Sequence, residues 1–106
     1  MNYGEYYAFK PIKENPIILD FSKCNYLGEI HLILKEKFGF PDYYGENWDA
    51  LWDCLDGLFD NDGAVKVEIY GFEKLKEDLR EYCMTMLEIF DRAHKKNQNL
   101  VFELKS

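Results

Sequence analysis

The sequence contains no apolar run near the ~20 residues that a membrane-spanning helix needs. Its three cysteines, Cys24, Cys54 and Cys83, are an odd number without close spacing, which favours neither a disulfide framework nor a zinc site. We interpret them as reduced, buried thiols. The first ten residues are polar and aromatic and lack the apolar core of a secretory signal. These absences lead us to expect a cytoplasmic protein that does not associate with membranes.

Motifs for catalysis are also missing. The chain has no glycine-rich phosphate loop, no GxSxG sequence and no HExxH sequence. Cys83 and His94 are eleven positions apart, which is too far for a nucleophile and its base on one helix. We therefore expect a protein that is not an enzyme and that needs no metal or cofactor. The enzyme alternative is a hydrolase built on Asp49 and Asp53, although both would project from one exposed helix instead of facing each other across a cleft.

Basic residues are absent from one long segment. Between Phe38 and Val65 there is no lysine or arginine, and the other positions hold thirteen acids and thirteen bases. This segment therefore carries the whole net charge of −7. Its seven acids are Asp42, Glu46, Asp49, Asp53, Asp56, Asp60 and Asp62. An acidic chain is a poor binder of nucleic acid, whereas it suits a basic protein partner because opposite charges accelerate association.

Within the acidic segment, residues 48–59 have the periodicity of an amphipathic helix. The apolar side consists of Trp48, Leu51, Leu55, Leu58 and Phe59. The opposite side carries Asp49, Asp53, Asp56 and Asp60. Asn47 is a suitable N-cap for this helix, and Gly45 is expected to give the preceding loop backbone freedom. Aspartates one turn apart repel each other, so the row requires an explanation.

Three interpretations of the aspartate row compete. It is a solvated face, a metal site or a protein-binding face. A row on one helix face is a poor cage for a metal ion, which needs carboxylates from several directions. Tyr43, Tyr44 and Trp52 flank the acids, and aromatic residues are enriched in the hot spots of interfaces. The neighbouring aromatics therefore favour the protein-binding face.

The rest of the chain predicts one α/β domain in the order β-α-α-β-α-α-β. The other elements are strands at residues 16–21, 64–70 and 100–104, a helix at 28–38 and helical sequence at 72–96. Alternation of strands and helices predicts a parallel sheet of three strands with helical crossovers. The continuous apolar run at 16–21 indicates a strand buried on both faces. His31 is interpreted as a packed residue, and Gly39 as the cap that ends its helix.

The segment Pro41–Gly57, with the sequence PDYYGENWDALWDCLDG, resembles the signature of the barstar family, the intracellular inhibitors of small microbial ribonucleases. We call it the signature segment. A looser resemblance covers residues 15–106 and leaves residues 1–14 as an N-terminal extension. The resemblance implies the barstar-like fold, with helices mainly on one face of the sheet and two helices near residues 72–78 and 80–95. In the extension, Tyr3, Tyr6, Tyr7 and Phe9 favour an arm or short strand packed on the domain over a mobile tail.

The resemblance also implies a function and a set of contact residues. The helix and the loop before it would block the active site of a small basic ribonuclease of the barnase type, or of a related toxin, and the free protein would be a monomer. Asp53 would stand where a substrate phosphate binds, Asp49 would meet an arginine, and Tyr43 would pack on the catalytic histidine. The predicted contact residues are Tyr43, Tyr44, Gly45, Asn47, Asp49, Trp52, Asp53, Asp56, Gly57 and Asp60.

Four positions depart from the family pattern. Asp56 replaces a threonine and Leu58 replaces a tryptophan, while Arg92 and Lys96 replace acids of the last long helix. Because these bases would repel a strongly basic enzyme, we expect Arg92 and Lys96 at the periphery of the contact. We interpret the change as a different partner or docking edge. The alternative function is a barstar-like interaction module, an immunity protein or antitoxin for a partner that is not a ribonuclease.

Overall fold

A computed structural model describes residues 8–58 and 63–105. In this part of the chain, three strands and four α-helices follow the predicted order β-α-α-β-α-α-β. The elements are β1 (Ile17–Asp20), α1 (Leu27–Phe38), α2 (Trp48–Leu58), β2 (Val65–Tyr70), α3 (Glu77–Tyr82), α4 (Met84–Lys96) and β3 (Leu100–Leu104). The predictions for Tyr3, Tyr6, Tyr7, Phe59 and Asp60 lie outside the described residues.

The strands form one parallel sheet in the order β1-β2-β3, as the sequence predicts. Val67 of the central strand lies opposite Ile17 on one side and Phe102 on the other. Parallel neighbours need long crossover connections, and these are supplied by α1 with α2 and by α3 with α4. None of the helices in residues 8–58 and 63–105 is long and apolar enough to cross a membrane.

One face of the sheet carries the core. Its buried strand residues are Ile17, Leu19, Val67, Ile69 and Leu100. Helix α1 packs on β1, α4 packs on β3, and α2 packs on α4. Ring stacking fills the space between these layers: the ring centroids of Phe38 and Phe40 are 5.2 Å apart, and those of Phe90 and Phe102 are 4.2 Å apart. In this arrangement α2 is held against α4 through its buried side, which includes Leu51 and Leu55.

The opposite face of the sheet is charged. Lys66 Nζ lies 3.5 Å from Glu68 Oε2 and 3.1 Å from Glu103 Oε2, and Lys105 Nζ lies 3.1 Å from Glu103 Oε1. The prediction that the first strand is buried on both faces is therefore wrong. Ile18, which is in register with Glu68, is only partly buried, because the neighbouring charged side chains need water.

The helical sequence after β2 is divided differently from the division implied by the family resemblance. A 3-10 turn at Phe72–Lys74 is followed by α3 and α4, which meet at Cys83. The implied boundary near residues 78–80 is therefore misplaced. The first break falls at Leu75, whose side chain is buried and whose backbone is extended. Burial of Leu75 and Cys83 fixes both breaks, although neither position carries a glycine or proline.

Candidate protein-binding site

The loop before α2 is ordered by the helix cap. Asn47 Oδ1 accepts a hydrogen bond from the backbone N–H of Ala50 at 2.8 Å, which confirms the predicted N-cap. Asn47 Nδ2 donates to the carbonyl oxygen of Gly45 at 3.1 Å. One side chain thus satisfies a free N–H of the first turn and fixes the loop that leads into it.

The conformational role predicted for Gly45 belongs to its neighbour. Glu46 has a φ of 51°, in the left-handed region that non-glycine residues seldom adopt. A Cβ on Gly45 would lie 3.2 Å from Asn47 Nδ2 and 3.7 Å from the Cβ of Ala50. Glycine therefore suits position 45 because the cap residue Asn47 comes close to the place where a side chain would begin. The prediction that Gly45 supplies backbone freedom is wrong, since its φ is not positive.

Tyr44 anchors the loop from inside. Its side chain is buried, and its hydroxyl oxygen lies 2.6 Å from His31 Nδ1. The His31 ring also packs on Trp48, with ring centroids 4.7 Å apart. Burial raises the pKa of the Tyr44 hydroxyl and lowers the pKa of His31. His31 is thus the packed residue that the sequence predicts, whereas Tyr44 faces the core instead of the surface.

The outward side of the loop and helix is acidic and aromatic. Asp49 and Asp53 are exposed in successive turns of α2, and Tyr43 is 43% exposed. The pKa of Tyr43 is raised by burial and, more weakly, by neighbours that include Asp53. Neither Asp49 nor Asp53 forms an ion pair within the described part of the chain. We call Tyr43, Asp49 and Asp53 the acidic surface.

Basic residues of α4 partly neutralise the negative charge of the next turn of α2. The Lys96 ammonium group forms an ion pair with the Asp56 carboxylate. The Arg92 guanidinium carbon lies 4.9 Å from the centroid of the half-buried Trp52 ring, and Lys96 Nζ lies 5.7 Å from it. A cation over an exposed indole ring contributes about 0.5–1 kcal/mol. Arg92 and Lys96, the two bases that depart from the family pattern, thus contact Trp52 and Asp56 of α2.

The loop and helix lie within a longer stretch that matches a known protein family. The family model described as Barstar (barnase inhibitor) matches residues 15–105. The chain belongs to the barstar family. A relative from Bacillus subtilis (strain 168), named "Putative ribonuclease inhibitor YrdF", is 39% identical over 77 residues, which are 73% of this chain and 82% of the relative. The resemblance and the fold predicted from the signature segment are confirmed.

Two residues outside the matched range of this barstar-family protein contact the signature segment. Phe9 packs so closely over Gly57 that a Cβ atom added to this glycine would lie 2.8 Å from Phe9 Cζ. Lys10 Nζ lies 2.7 Å from the Asp42 Oδ1 atom. The aromatic character of Phe9 favours a packed arm, as predicted from the sequence, whereas no sequence pattern predicts a role for Lys10. No local pattern indicates these contacts, since they join positions more than thirty residues apart.

The site offers little to metal or redox chemistry. In the described ranges, no group of three or more His, Cys, Asp and Glu side chains could hold a metal ion. Cys24, Cys54 and Cys83 are buried, as predicted. Burial raises the pKa of Cys54 and of Cys83 to about 11, so both thiols stay protonated near neutral pH and react poorly. The chemistry available at this surface is ionic and aromatic contact with another molecule.

Proposed function

We propose that this protein inhibits a small basic ribonuclease by placing α2 and the preceding loop in the active site of the enzyme. The observation that carries the proposal is the acidic surface, in which Asp49 and Asp53 are exposed beside exposed Tyr43 and form no ion pair with any residue of 8–58 and 63–105. An active site that binds RNA phosphates supplies cationic side chains, and a carboxylate pairs with arginine in the same bidentate geometry as a phosphate. The surface is therefore complementary to such a site in charge and in chemistry.

The proposed roles are those that the family resemblance implies, and the exposure of Asp49, Asp53 and Tyr43 is compatible with them. Asp53 stands in for a substrate phosphate, Asp49 pairs with a neighbouring arginine, and Tyr43 packs on the catalytic histidine. Tyr44 holds the loop in place from the core. The shape and border of the contact come from Gly45, Asn47, Trp52, Asp56, Gly57 and Asp60, with Arg92 and Lys96 at the periphery. The free protein is proposed to be a monomer.

We also propose that the chain has no catalytic activity of its own and protects the cell that makes the nuclease. Both candidate carboxylates project from one helix into solvent, which provides no enclosed position for a substrate. The purified protein is expected to release no product from RNA, with or without added Mg²⁺. Hydrolysis that disappears in the Asp49→Ala variant would contradict this proposal.

A second candidate function is that of an immunity protein or antitoxin for a partner other than a ribonuclease. The position of Arg92 and Lys96 favours it, because these bases reduce the negative charge at one end of α2. A partner with an acidic group opposite this end would fit the surface better than a uniformly basic one. Absence of binding to any small basic ribonuclease would favour this candidate.

Binding to barnase, the enzyme named in the description of the family, tests the proposed function. Catalytically inactive barnase is immobilised, and the wild-type chain is compared with Asp53→Ala. Loss of one partner from a buried charge pair costs about 2–5 kcal/mol, so the variant is expected to bind well over tenfold more weakly. The control is Glu103→Ala, which removes the same charge from the opposite face of the sheet and should bind like the wild type. Equal binding by wild type and Asp53→Ala would exclude the proposed role of α2.

A further inference from the structure

The residues that precede the family match form an arm that lies on the domain. We define the arm as residues 8–14, since the match begins at residue 15. At its end, Glu14 Oε1 lies 2.9 Å from Lys37 Nζ and accepts the N–H of Ile18 at 3.1 Å. In its middle, Ile12 packs against the core. The arm is therefore attached along its length.

The beginning of the arm contacts the start of the signature segment. The N–H of Lys10 donates to the carbonyl oxygen of Gly39 at 2.7 Å, and Lys10 Nζ lies 2.7 Å from Asp42 Oδ1. Gly39 ends α1 with a φ of 68°, and a Cβ there would lie 2.2 Å from the carbonyl oxygen of Lys10. The close approach of the arm thus adds a second reason for glycine at this cap.

The same arm contacts the other end of the signature segment through Phe9. The Phe9 ring packs over Gly57, and its centroid lies 6.4 Å from that of Phe40 in an edge-to-face arrangement. The ring nevertheless remains 37% exposed. A large apolar side chain that is held in place and still open to solvent is typical of an interface anchor.

Helix geometry aligns Phe9 with the acidic surface. Gly57 follows Asp53 by four residues, which is about 6 Å along the axis and about 40° around it. Asp49 precedes Asp53 by the same interval. The Phe9 ring therefore occupies the next place in the row formed by Asp49 and Asp53.

We propose that the arm is part of the partner-binding surface and that Phe9 contacts the partner directly. This inference rests on the proposed function and deepens it, because it specifies the partner further. The partner site has a basic pocket for Asp53 and an apolar ledge one helical turn beyond it, where Phe9 binds. Lys10 pairs with Asp42, whereas Asp49 and Asp53 form no ion pair in the described ranges, and the side chain that the arm places over Gly57 is apolar.

The test uses full-length variants and catalytically inactive barnase. Phe9→Ala is expected to raise Kd about tenfold, as expected for loss of an interface aromatic. The change should come from faster dissociation, with an unaltered salt dependence of association, because phenylalanine carries no charge. Phe9→Leu should restore most of the affinity. Leu104→Ala, which truncates an exposed apolar side chain on β3, is the matched control and should bind like the wild type.

Amide hydrogen exchange of the wild-type chain supplies a readout that needs no substitution. Exchange in residues 8–14 should become slower in the complex if the arm contacts the partner. Faster exchange there, or tighter binding by Phe9→Ala, would identify the arm as a cover that the partner displaces and would overturn the inference. Binding that is weakened by Asp53→Ala and unchanged by Phe9→Ala would overturn the role of the arm alone. A wild-type chain that does not bind barnase would overturn the arm and the proposed inhibitor together.

Discussion

The pair formed by His31 and Tyr44 connects the core to the loop that carries the acidic surface. The imidazole and the hydroxyl are both buried and hydrogen-bonded to each other, and the nearby Glu46 carboxylate favours the charged ring less than burial disfavours it. His31 Nε2 and Trp48 Nε1 are buried without a hydrogen-bond partner in the described ranges. An imidazolium at this position would lose its hydration, and the attraction to Glu46 offsets only part of that loss, so the folded protein favours the neutral ring.

Acidification should therefore destabilise the protein through His31. In the unfolded chain the imidazole takes up a proton below its ordinary pKa of 6.5, whereas burial lowers the pKa in the folded protein. The unfolded state binds more protons in this range, so the stability is fully present above about pH 6.5 and decreases as the pH falls below it. Urea unfolding at pH 7.5 and 5.5 should show a larger loss for the wild type than for His31→Gln. Equal losses would contradict this assignment.

At the scale of the element, α2 depends on its first turn. Its cap comes from one side chain, and its first turn contains Asp49, whose charge is favourable near the positive end of the helix dipole. The same residue, Asp49, is one of the three that form the acidic surface. Stability and recognition therefore depend on the same few residues.

Replacement of the cap residue should show how much the cap hydrogen bond contributes to stability. Asn47→Ala removes the acceptor for the Ala50 N–H and should lower the free energy of unfolding by about 1 kcal/mol. Asn47→Asp keeps an oxygen acceptor and should retain most of the stability. Urea denaturation of the three proteins measures the difference. If Asn47→Ala and Asn47→Asp were equally stable, the cap hydrogen bond would have no measurable role.

The elements that local sequence specifies were predicted well. Helix α2 has a clear period and a cap residue, and β3 was predicted with the observed bounds at Leu100 and Leu104. The errors occur where tertiary contacts decide. The second face of β1 stays open because β2 and β3 place charges beside it, and Leu75 breaks the helical sequence because its side chain enters the core. Neither effect has a local sequence signal.

At the scale of the whole molecule, ion pairs with distant parts of the chain neutralise two of the described acids of the acidic segment, Asp42 and Asp56. Lys10 from the arm pairs with Asp42, and Lys96 from α4 pairs with Asp56, while Asp49 and Asp53 between them form no ion pair in the described ranges. From the sequence alone, these acids form one segment without basic residues. Paired and unpaired acids cannot be distinguished there, because the bases that pair with Asp42 and Asp56 come from distant segments of the chain.

Reversal of charge on α4 should strengthen binding to a basic ribonuclease. Arg92→Glu removes a cation from Trp52 and adds an acid beside the acidic surface. The affinity should rise mainly through faster association, and the gain should shrink at higher salt because screening weakens the attraction between charges. Association kinetics at two salt concentrations, with neutral Arg92→Gln as an intermediate, measure the effect. Weaker binding by Arg92→Glu would show that Arg92 meets an acidic group of the true partner.

Two acids of the signature segment and the bases that pair with them are encoded far apart in the chain. Lys96 is 40 positions from Asp56, and Lys10 is 32 positions from Asp42. Substitutions in α4 or in the arm can therefore alter the charge balance of the surface while Pro41–Gly57 stays unchanged. Partner preference can in this way drift during evolution without loss of the segment that characterises the family, and a designer can adjust the two flanks one at a time.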